Sequence, residues 1–120
     1  MRATLAKQFG FEAAHQLPHV PPDHKCARMH GHSFKVEVRV SGEVDPRLGW
    51  VFDHAELSRA MDPLIKQLDH RLLNEIPGLE NPTFEHLARW IWEKLKPAFP
   101  GLRRITVFET ASASCIYEGE

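Results

Sequence analysis

Apolar and polar residues alternate in two long stretches of the chain. The apolar positions of the first stretch are Ala3, Leu5, Phe9, Phe11 and Ala13, and those of the second are Phe34, Val36, Val38 and Val40. A period of two predicts β-strands that bury one face. Histidines continue both patterns, because His15 follows the first stretch and His30 and His32 precede the second on the same parity. We therefore expect these histidines to face the core side of a sheet.

Two helices are predicted between residues 53 and 97. The first begins near Asp53, which with Glu56 has the form of a capping box, and apolar residues follow at spacings of three and four. Pro63 interrupts this stripe, so it should kink the helix or start another one. The second helix has Thr83 as its predicted N-cap and ends at Pro97.

Short strands are predicted on either side of the helices. They cover 50–52, about 104–110 and 114–118, and turn residues at 42–49 precede the first of them. The resulting order, βββ–αα–ββ, predicts an α+β fold in which helices cover an antiparallel sheet of four or five strands. We expect the 120 residues to form a single domain, 1–120, and exposed sheet edges favour a homo-oligomer.

Composition narrows the choice of partners and compartment. The 15 Lys and Arg residues nearly balance the 16 Asp and Glu residues, and the net charge of −1 favours neither nucleic acid nor an acidic membrane as a partner. No apolar run approaches the ~20 residues of a membrane span, and the first residues lack an apolar signal core. Two cysteines are too few for a disulfide scaffold, so we expect a cytoplasmic protein.

Histidine is over-represented, with 8 residues in the chain. The sequence His30-Gly31-His32 puts two imidazoles on one face of a strand, and pairing of the first two strands would bring His15 beside them. Three histidines are a typical ligand set of catalytic zinc, which keeps an open position for water or substrate. The alternative is that each histidine is a half-buried strand residue whose hydrogen bonds are satisfied.

Cys26 is a candidate nucleophile or base. It lies four residues before His30, between Lys25 and Arg28, and neighbouring cations favour the reactive thiolate form of a cysteine. Cys26 could instead be a fourth zinc ligand, which would make the metal site structural, or an ordinary loop residue.

Two carboxylates are further candidates. Asp69 precedes His70, and a carboxylate beside an imidazole fixes the tautomer of the ring. Neighbouring side chains on an extended chain point apart, however, so adjacency does not establish a contact. The alternative is that the two residues form a solvated helix end. Glu109 shares the parity of Ile105 and Val107. If that face is buried, Glu109 needs a partner, such as the N–C–NH₂ edge of an amidine-like ring; the alternative is a strand end in solvent.

Taken in order, these motifs resemble the 6-pyruvoyltetrahydropterin synthase family over nearly the whole chain. The segments that carry the resemblance are Phe11-Glu12-Ala13-Ala14-His15, Cys26-x-x-x-His30-Gly31-His32-Ser33, Leu68-Asp69-His70, Asn81-Pro82-Thr83-x-Glu85 and Glu109-Thr110. The short spacing from Cys26 to His30 resembles the bacterial branch of queuosine biosynthesis, since the animal enzymes carry a longer insert there.

The resemblance implies the tunnelling fold, which is a four-stranded antiparallel sheet with two helices on one face. Subunits of this fold join edge to edge into a barrel, usually as trimers that stack into a hexamer. The resemblance also implies Zn²⁺ as the cofactor, with His15, His30 and His32 as its ligands, and it implies that Cys26 is the catalytic thiol.

Further roles follow from the same resemblance. Asp69 and His70 match a proton-relay pair that acts across a subunit boundary. Glu109 matches the glutamate that anchors the pterin ring, and Thr83 matches a position that contacts the pterin.

The implied reaction is that of a lyase acting on 7,8-dihydroneopterin triphosphate. The implied products are 6-carboxytetrahydropterin, acetaldehyde and triphosphate, and Lys25 and Arg28 are candidates for binding the triphosphate from their charge alone. One alternative is a pyruvoyl-type synthase, which eliminates triphosphate but keeps the carbon chain. The other is a non-catalytic domain that zinc stabilises, with Cys26 as the fourth ligand.

Overall fold

A pair of long strands forms the centre of the structure, a computed structural model that describes residues 1–120. β1 (Arg2–His15) and β2 (His30–Glu43) run antiparallel along their whole length, and His15 lies opposite His30. Alternate side chains of both strands face a common core, as the period of two predicted. The pairing therefore brings the three predicted ligand histidines to one end of the strand pair.

Three shorter strands complete the sheet: β3 (Arg71–Leu72), β4 (Leu102–Phe108) and β5 (Ser114–Tyr117). The order across the sheet is β3-β1-β2-β4-β5, and every pair is antiparallel except β3 with β1. The predicted antiparallel sheet of four strands is thus present, and a parallel edge strand of two residues is added to it. So short a strand has no detectable periodicity, and the sequence pattern did not predict it.

Two helices cover one face of the sheet: α1 (Ala55–Leu68) and α2 (Phe84–Leu95). The predicted N-cap of α2 is confirmed, because the Thr83 hydroxyl accepts a hydrogen bond from the His86 N–H at 3.2 Å. At the start of α1, Asp53 Oδ1 accepts the N–H of Ala55 at 2.9 Å, although the N-cap position itself is occupied by His54. Neither helix combines the length and the apolar character that a membrane span requires.

The space between the helices and the sheet contains one continuous core of 21 buried apolar residues. The valines of β2 and the leucines of both helices contribute most of it, as the two periodicities predicted. The opposite face of the sheet carries polar and charged side chains such as Lys35 and Arg39. The core therefore holds β1, β2 and β4 in place, and those strands position the site described below.

One local prediction is wrong, and one of the two alternatives predicted at Pro63 does not occur. Residues 50–52 form no strand; they belong to a loop that is closed by a hydrogen bond from the Asp45 N–H to the Trp50 carbonyl, at 2.8 Å. Pro63 starts no new helix, since α1 runs through it without interruption. The pyrrolidine ring lies on the exposed face, where the loss of one helical hydrogen bond is tolerated because water can reach the unpaired carbonyl.

Gly101 provides a test of how closely β4 approaches β2. A Cβ at this position would collide with the Ser41 carbonyl oxygen, whereas a Cβ at Gly10 would lie 3.5 Å from the nearest atom, the Phe34 carbonyl oxygen. We expect Gly101→Ala to lower the free energy of unfolding by about 1–3 kcal/mol, because the backbone must move apart. Gly10→Ala is the control and should change it by less than about 0.5 kcal/mol. Urea denaturation measures both, and equal effects would contradict the close approach.

Candidate active site

Three imidazoles converge at the end of the β1–β2 pair. His15 lies on β1, and His30 and His32 lie on β2, where the antiparallel register puts them opposite His15 and Ala13. One ring nitrogen of each histidine lies within 4.8 Å of the other two, and the ring centroids are 4.6, 5.0 and 5.1 Å apart. The sequence prediction that these residues face the same side and come together is met.

Backbone carbonyls orient two of the rings. His15 Nδ1 lies 2.8 Å from the Pro82 oxygen, and His30 Nδ1 lies 2.7 Å from the Arg28 oxygen. Since a carbonyl oxygen only accepts hydrogen bonds, these contacts assign the proton to Nδ1 in both rings and leave each Nε2 with a free lone pair. Histidines that bind metals are typically held in this way.

The surroundings of His15 favour a neutral ring. Its side chain is 1% exposed, and burial lowers the pKa of His15 below the ordinary value, with the neighbouring His30 and His32 adding to the effect. The hydrogen bond to Pro82 and the charge of Glu109 oppose this lowering without cancelling it. A neutral imidazole is the form that binds metal ions.

The donor set fits a metal ion. His15 Nε2 is buried and has no hydrogen-bond partner, which is costly for a polar atom unless a ligand occupies the space in front of it. The group of ligand atoms contains three imidazoles and no thiolate. Three imidazoles with an open fourth position are suited to a catalytic metal ion, whereas a structural zinc site usually has four protein ligands.

Glu109 lies beside the histidine cluster. It follows β4 directly, its side chain is 23% exposed, and its Oε1 is 3.9 Å from His15 Nε2. Glu109 therefore faces the same side of the sheet as Ile105 and Val107, as its position in the alternation predicts. The alternative, a strand end in solvent, does not hold. A carboxylate in this position can accept hydrogen bonds from a ligand bound at the cluster.

Asp69 and His70 form a contact that sequence adjacency alone did not establish. Asp69 Oδ2 lies 3.0 Å from His70 Nδ1, and His70 has a φ of 57°, in the left-handed region. This backbone conformation turns the two side chains toward each other instead of to opposite sides. The Glu12 backbone holds both residues, since its N–H donates to Asp69 Oδ1 at 2.9 Å and its carbonyl accepts from the His70 N–H at 2.6 Å.

Two open cavities meet at His32, one of the three clustered histidines. One, of about 630 Å³, is lined by His32, Glu109 and Lys35 among others. The other, of about 520 Å³, is lined by His32 and His70. They share the segment Gly31-His32-Ser33, so a ligand that contacts the cluster can extend toward Glu109 on one side and toward His70 on the other.

Other predicted residues lie outside these two cavities. Cys26 is half-buried in a 3₁₀ turn, Lys25–Ala27, where its carbonyl accepts from the Leu17 N–H at 2.8 Å. Lys25 and Arg28 are exposed next to it. Thr83 is half-buried at the start of α2. Within one chain, therefore, the structure brings the histidines and Glu109 together but does not place Cys26 among the ligand atoms.

Sequence reasoning missed the backbone groups that hold the site. The Pro82 carbonyl orients His15, and the backbone of Glu12 holds Asp69 and His70. Every residue carries the same carbonyl group, so no residue type identifies such a partner. The resemblance noted above includes both segments, but their motifs do not reveal what their main chains do.

The sheet, the helices on one face and the histidine cluster define a protein of the tunnelling-fold class with a candidate metal centre. A family model described as 6-pyruvoyl tetrahydropterin synthase matches residues 4–120. The chain belongs to this family, a family of lyase-type enzymes that act on pterins, and the resemblance seen in the sequence is confirmed.

Individual relatives agree with this assignment. A 6-carboxy-5,6,7,8-tetrahydropterin synthase from Synechocystis sp. is 45% identical, with 94% of this chain and 91% of that protein covered. A dihydroneopterin monophosphate aldolase from Pyrococcus furiosus is 37% identical, with 91% of each chain covered. The solved structure of 6-pyruvoyl tetrahydropterin synthase from Caenorhabditis elegans superposes with a TM-score of 0.90 at 30% identity, covering 100% of this chain and 97% of that one.

Asp69 gives a prediction for the pH dependence of stability. Hydrogen bonds from the Glu12 N–H and then from His70 hold the pKa of Asp69 below its ordinary value. A carboxylate whose pKa is lowered on folding stabilises the protein above the unfolded-state pKa, about 3.9, and this contribution disappears as the pH falls through the folded-state pKa. We therefore expect Asp69→Asn to lower the free energy of unfolding at pH 7, with the difference from wild type shrinking at acid pH.

The matched control for this test is Asp62→Asn, which removes an exposed carboxylate in the middle of α1. Urea denaturation between pH 7 and pH 3 measures all three proteins. A deficit of the Asp69→Asn protein that stays constant with pH, or that the control reproduces, would count against the role of the charged carboxylate.

Proposed function

We propose that the protein converts 7,8-dihydroneopterin triphosphate to 6-carboxy-5,6,7,8-tetrahydropterin, with release of acetaldehyde and triphosphate, as a step of queuosine biosynthesis. The observation that carries the proposal is the unpartnered Nε2 of His15 among three imidazoles, 3.9 Å from the Glu109 carboxylate. Identity of 45% with a 6-carboxy-5,6,7,8-tetrahydropterin synthase supports the choice of reaction within the family.

His15, His30 and His32 are the proposed ligands of a Zn²⁺ ion. When bound, zinc supplies a Lewis acid that makes the hydroxyl groups and the adjacent C–H bonds of the substrate side chain more acidic. The carbonyls that fix Nδ1 of His15 and His30 keep Nε2 of both rings aimed at the cluster. The neutral state of His15 means that no proton has to leave this ring before it binds the ion.

Cys26 and the Asp69–His70 pair are the proposed proton carriers. The Cys26 thiolate removes a proton from the substrate side chain, and His70 returns one, which moves the double bond of the dihydropterin. This shift allows triphosphate to leave. A water molecule then adds to the side-chain carbon next to the ring, and a retro-aldol-like cleavage of the adjacent carbon–carbon bond releases acetaldehyde and leaves that carbon as the carboxylate. Asp69 Oδ2 lies 3.0 Å from His70 Nδ1, and this contact favours the tautomer that carries its proton on Nδ1.

Glu109 is the proposed anchor of the pterin. Its carboxylate accepts two hydrogen bonds from the N–C–NH₂ edge of the ring and holds the side chain of the substrate over the metal site. Thr83 is proposed to contact the pterin, and Lys25 and Arg28 are proposed to bind the triphosphate through their charge. The two cations are exposed and have no carboxylate partner, which leaves them available for an anion.

The proposal includes the assembly and the compartment. Both edges of the sheet carry short strands, and pairing of the edges between copies would close a barrel, which we propose to be a trimer that stacks into a hexamer. In this assembly the Asp69–His70 pair would serve the site of an adjacent subunit. The proposed compartment is the reducing cytoplasm, in which the two free thiols would stay reduced.

The reaction is tested by a product assay with zinc-loaded protein and 7,8-dihydroneopterin triphosphate. We expect acetaldehyde and triphosphate in equal amounts from the wild type. We also expect Cys26→Ala to lower kcat by at least about 100-fold, because the proton-transfer group is lost. Cys115→Ala is the control and should keep its activity. Cys115 packs against the core on β5, and burial raises the pKa of its thiol, which disfavours the reactive thiolate.

Each alternative gives a different result in this assay. Triphosphate without acetaldehyde indicates a synthase of pyruvoyl type, and the proposed carbon–carbon cleavage is then wrong. A protein that binds zinc but releases neither product, and whose Cys26 does not react with thiol reagents, is the non-catalytic zinc-stabilised domain.

Metal analysis separates an open site from a structural one. We expect the purified wild type and the Cys26→Ala protein to contain one zinc ion per chain, and the His32→Ala protein to lose it, because three imidazoles form the complete ligand set. His19→Ala, which removes an exposed loop histidine, is the control and should retain zinc. If Cys26→Ala also loses the ion, Cys26 is a fourth ligand and the proposed role of its thiolate fails.

A further inference from the structure

We propose that Asn74 is a positioning residue of the metal site. Its side-chain amide holds the backbone of Gln16 in place. Because Gln16 directly follows His15, this contact fixes the direction from which His15 approaches the other two imidazoles. The inference rests on the proposed function only in taking the histidine cluster as a zinc site.

The amide of Asn74 makes two hydrogen bonds to a single residue. The Gln16 N–H donates to Asn74 Oδ1 at 3.0 Å, and Asn74 Nδ2 donates to the Gln16 carbonyl oxygen at 2.8 Å. This pair of bonds also assigns the orientation of the amide, since the reverse orientation would face donor to donor and acceptor to acceptor. The side chain therefore binds Gln16 as a neighbouring strand would bind it.

The edge of the sheet explains why a side chain is needed here. β3 pairs with β1 at Ala13 and Ala14, and the chain then leaves the sheet as a 3₁₀ turn, Leu73–Glu75. On this side, β1 has no strand partner beyond Ala14. The amide of Asn74 takes over the next position along the edge, immediately after His15. Both polar groups of the Gln16 backbone are satisfied in this way.

One segment, 73–82, holds both the backbone and the ring of this ligand. Asn74 fixes the residue after His15, and the Pro82 carbonyl accepts from His15 Nδ1 at 2.8 Å. Leu73 and Leu79 are fully buried, so the segment itself is anchored in the core. Loss of the amide would free the end of β1 on one side and let His15 shift relative to His30 and His32.

The test compares zinc affinities, measured by competition with a chromophoric chelator and without substrate. We expect Asn74→Ala to bind Zn²⁺ about 10–100-fold more weakly than wild type, as when a group that orients a metal ligand is removed. Asn74→Asp should also weaken binding, because it keeps an acceptor for the Gln16 N–H but puts a second acceptor against the Gln16 carbonyl oxygen. The visible spectrum of the Co²⁺-substituted protein should also change in Asn74→Ala, since it reports the coordination geometry.

Asp45→Ala is the matched control. The Asp45 carboxylate also accepts two backbone hydrogen bonds, from Arg47 and Leu48 at 2.8 and 2.9 Å, but it does so in the loop at the far end of β2. We expect this variant to lose stability while it keeps the zinc affinity and the cobalt spectrum of the wild type. A general loss of stability would affect both variants alike, and only a positioning role separates them.

The outcomes distinguish this inference from the proposed function. It is overturned if Asn74→Ala binds Zn²⁺ as tightly as wild type, or if Asp45→Ala weakens binding as much. If Asn74→Ala fails to fold, the Asn74→Asp protein decides the question by the same two measurements. If the wild type binds zinc but releases no acetaldehyde, the proposed reaction is wrong and the comparison of zinc affinities remains valid. If the wild type binds no zinc, the proposed function and the role of Asn74 are both wrong.

Discussion

Antiparallel pairing of β1 with β2 is the interaction on which the rest of the structure depends. The pairing covers 14 residues of each strand and ends at the pair His15–His30. Since side chains alternate along a strand, a slip of one residue would turn the valines of β2 away from the core and the histidines away from one another. The burial of the core therefore also fixes the register that brings the three histidines together.

The groups around the cluster depend on the same strand pair. The Glu12 backbone, three residues before His15, holds the Asp69–His70 pair, and the amide of Asn74 holds the residue that follows. Glu109 reaches the cluster because β4 pairs with β2 in a register that places Val107 opposite Val36. One strand of the sheet thus carries a proposed metal ligand and the backbone groups that hold the proposed acid–base pair.

Periodicity predicted the elements that are long and amphipathic. The two long strands and α2 were predicted with their core faces, because burial of one face imposes a repeat that a sequence of 12 or more residues displays clearly. Short elements were predicted less reliably. β5 was predicted, but 50–52 was wrongly predicted as a strand, since it has strand-forming residues and no partner strand, and β3 was missed because it depends on the chain after α1 passing beside Ala13 and Ala14. At Pro63 the rule that proline ends a helix does not hold. The apolar stripe of α1 packs on both sides of Pro63, and the helix continues through it.

The sequence by itself determined which side chains are available and which face of the sheet they occupy: three histidines and Glu109 on the core parity, in a pattern that matches one enzyme family. The tertiary structure decided the contacts between them. It turned His70 toward Asp69 through a left-handed backbone, and it supplied the Pro82 carbonyl and the Asn74 amide to the end of β1. The periodicity of side chains can be recognised from residue types. Backbone hydrogen-bonding groups are nearly the same in every residue, so their partners are decided only when distant segments pack together.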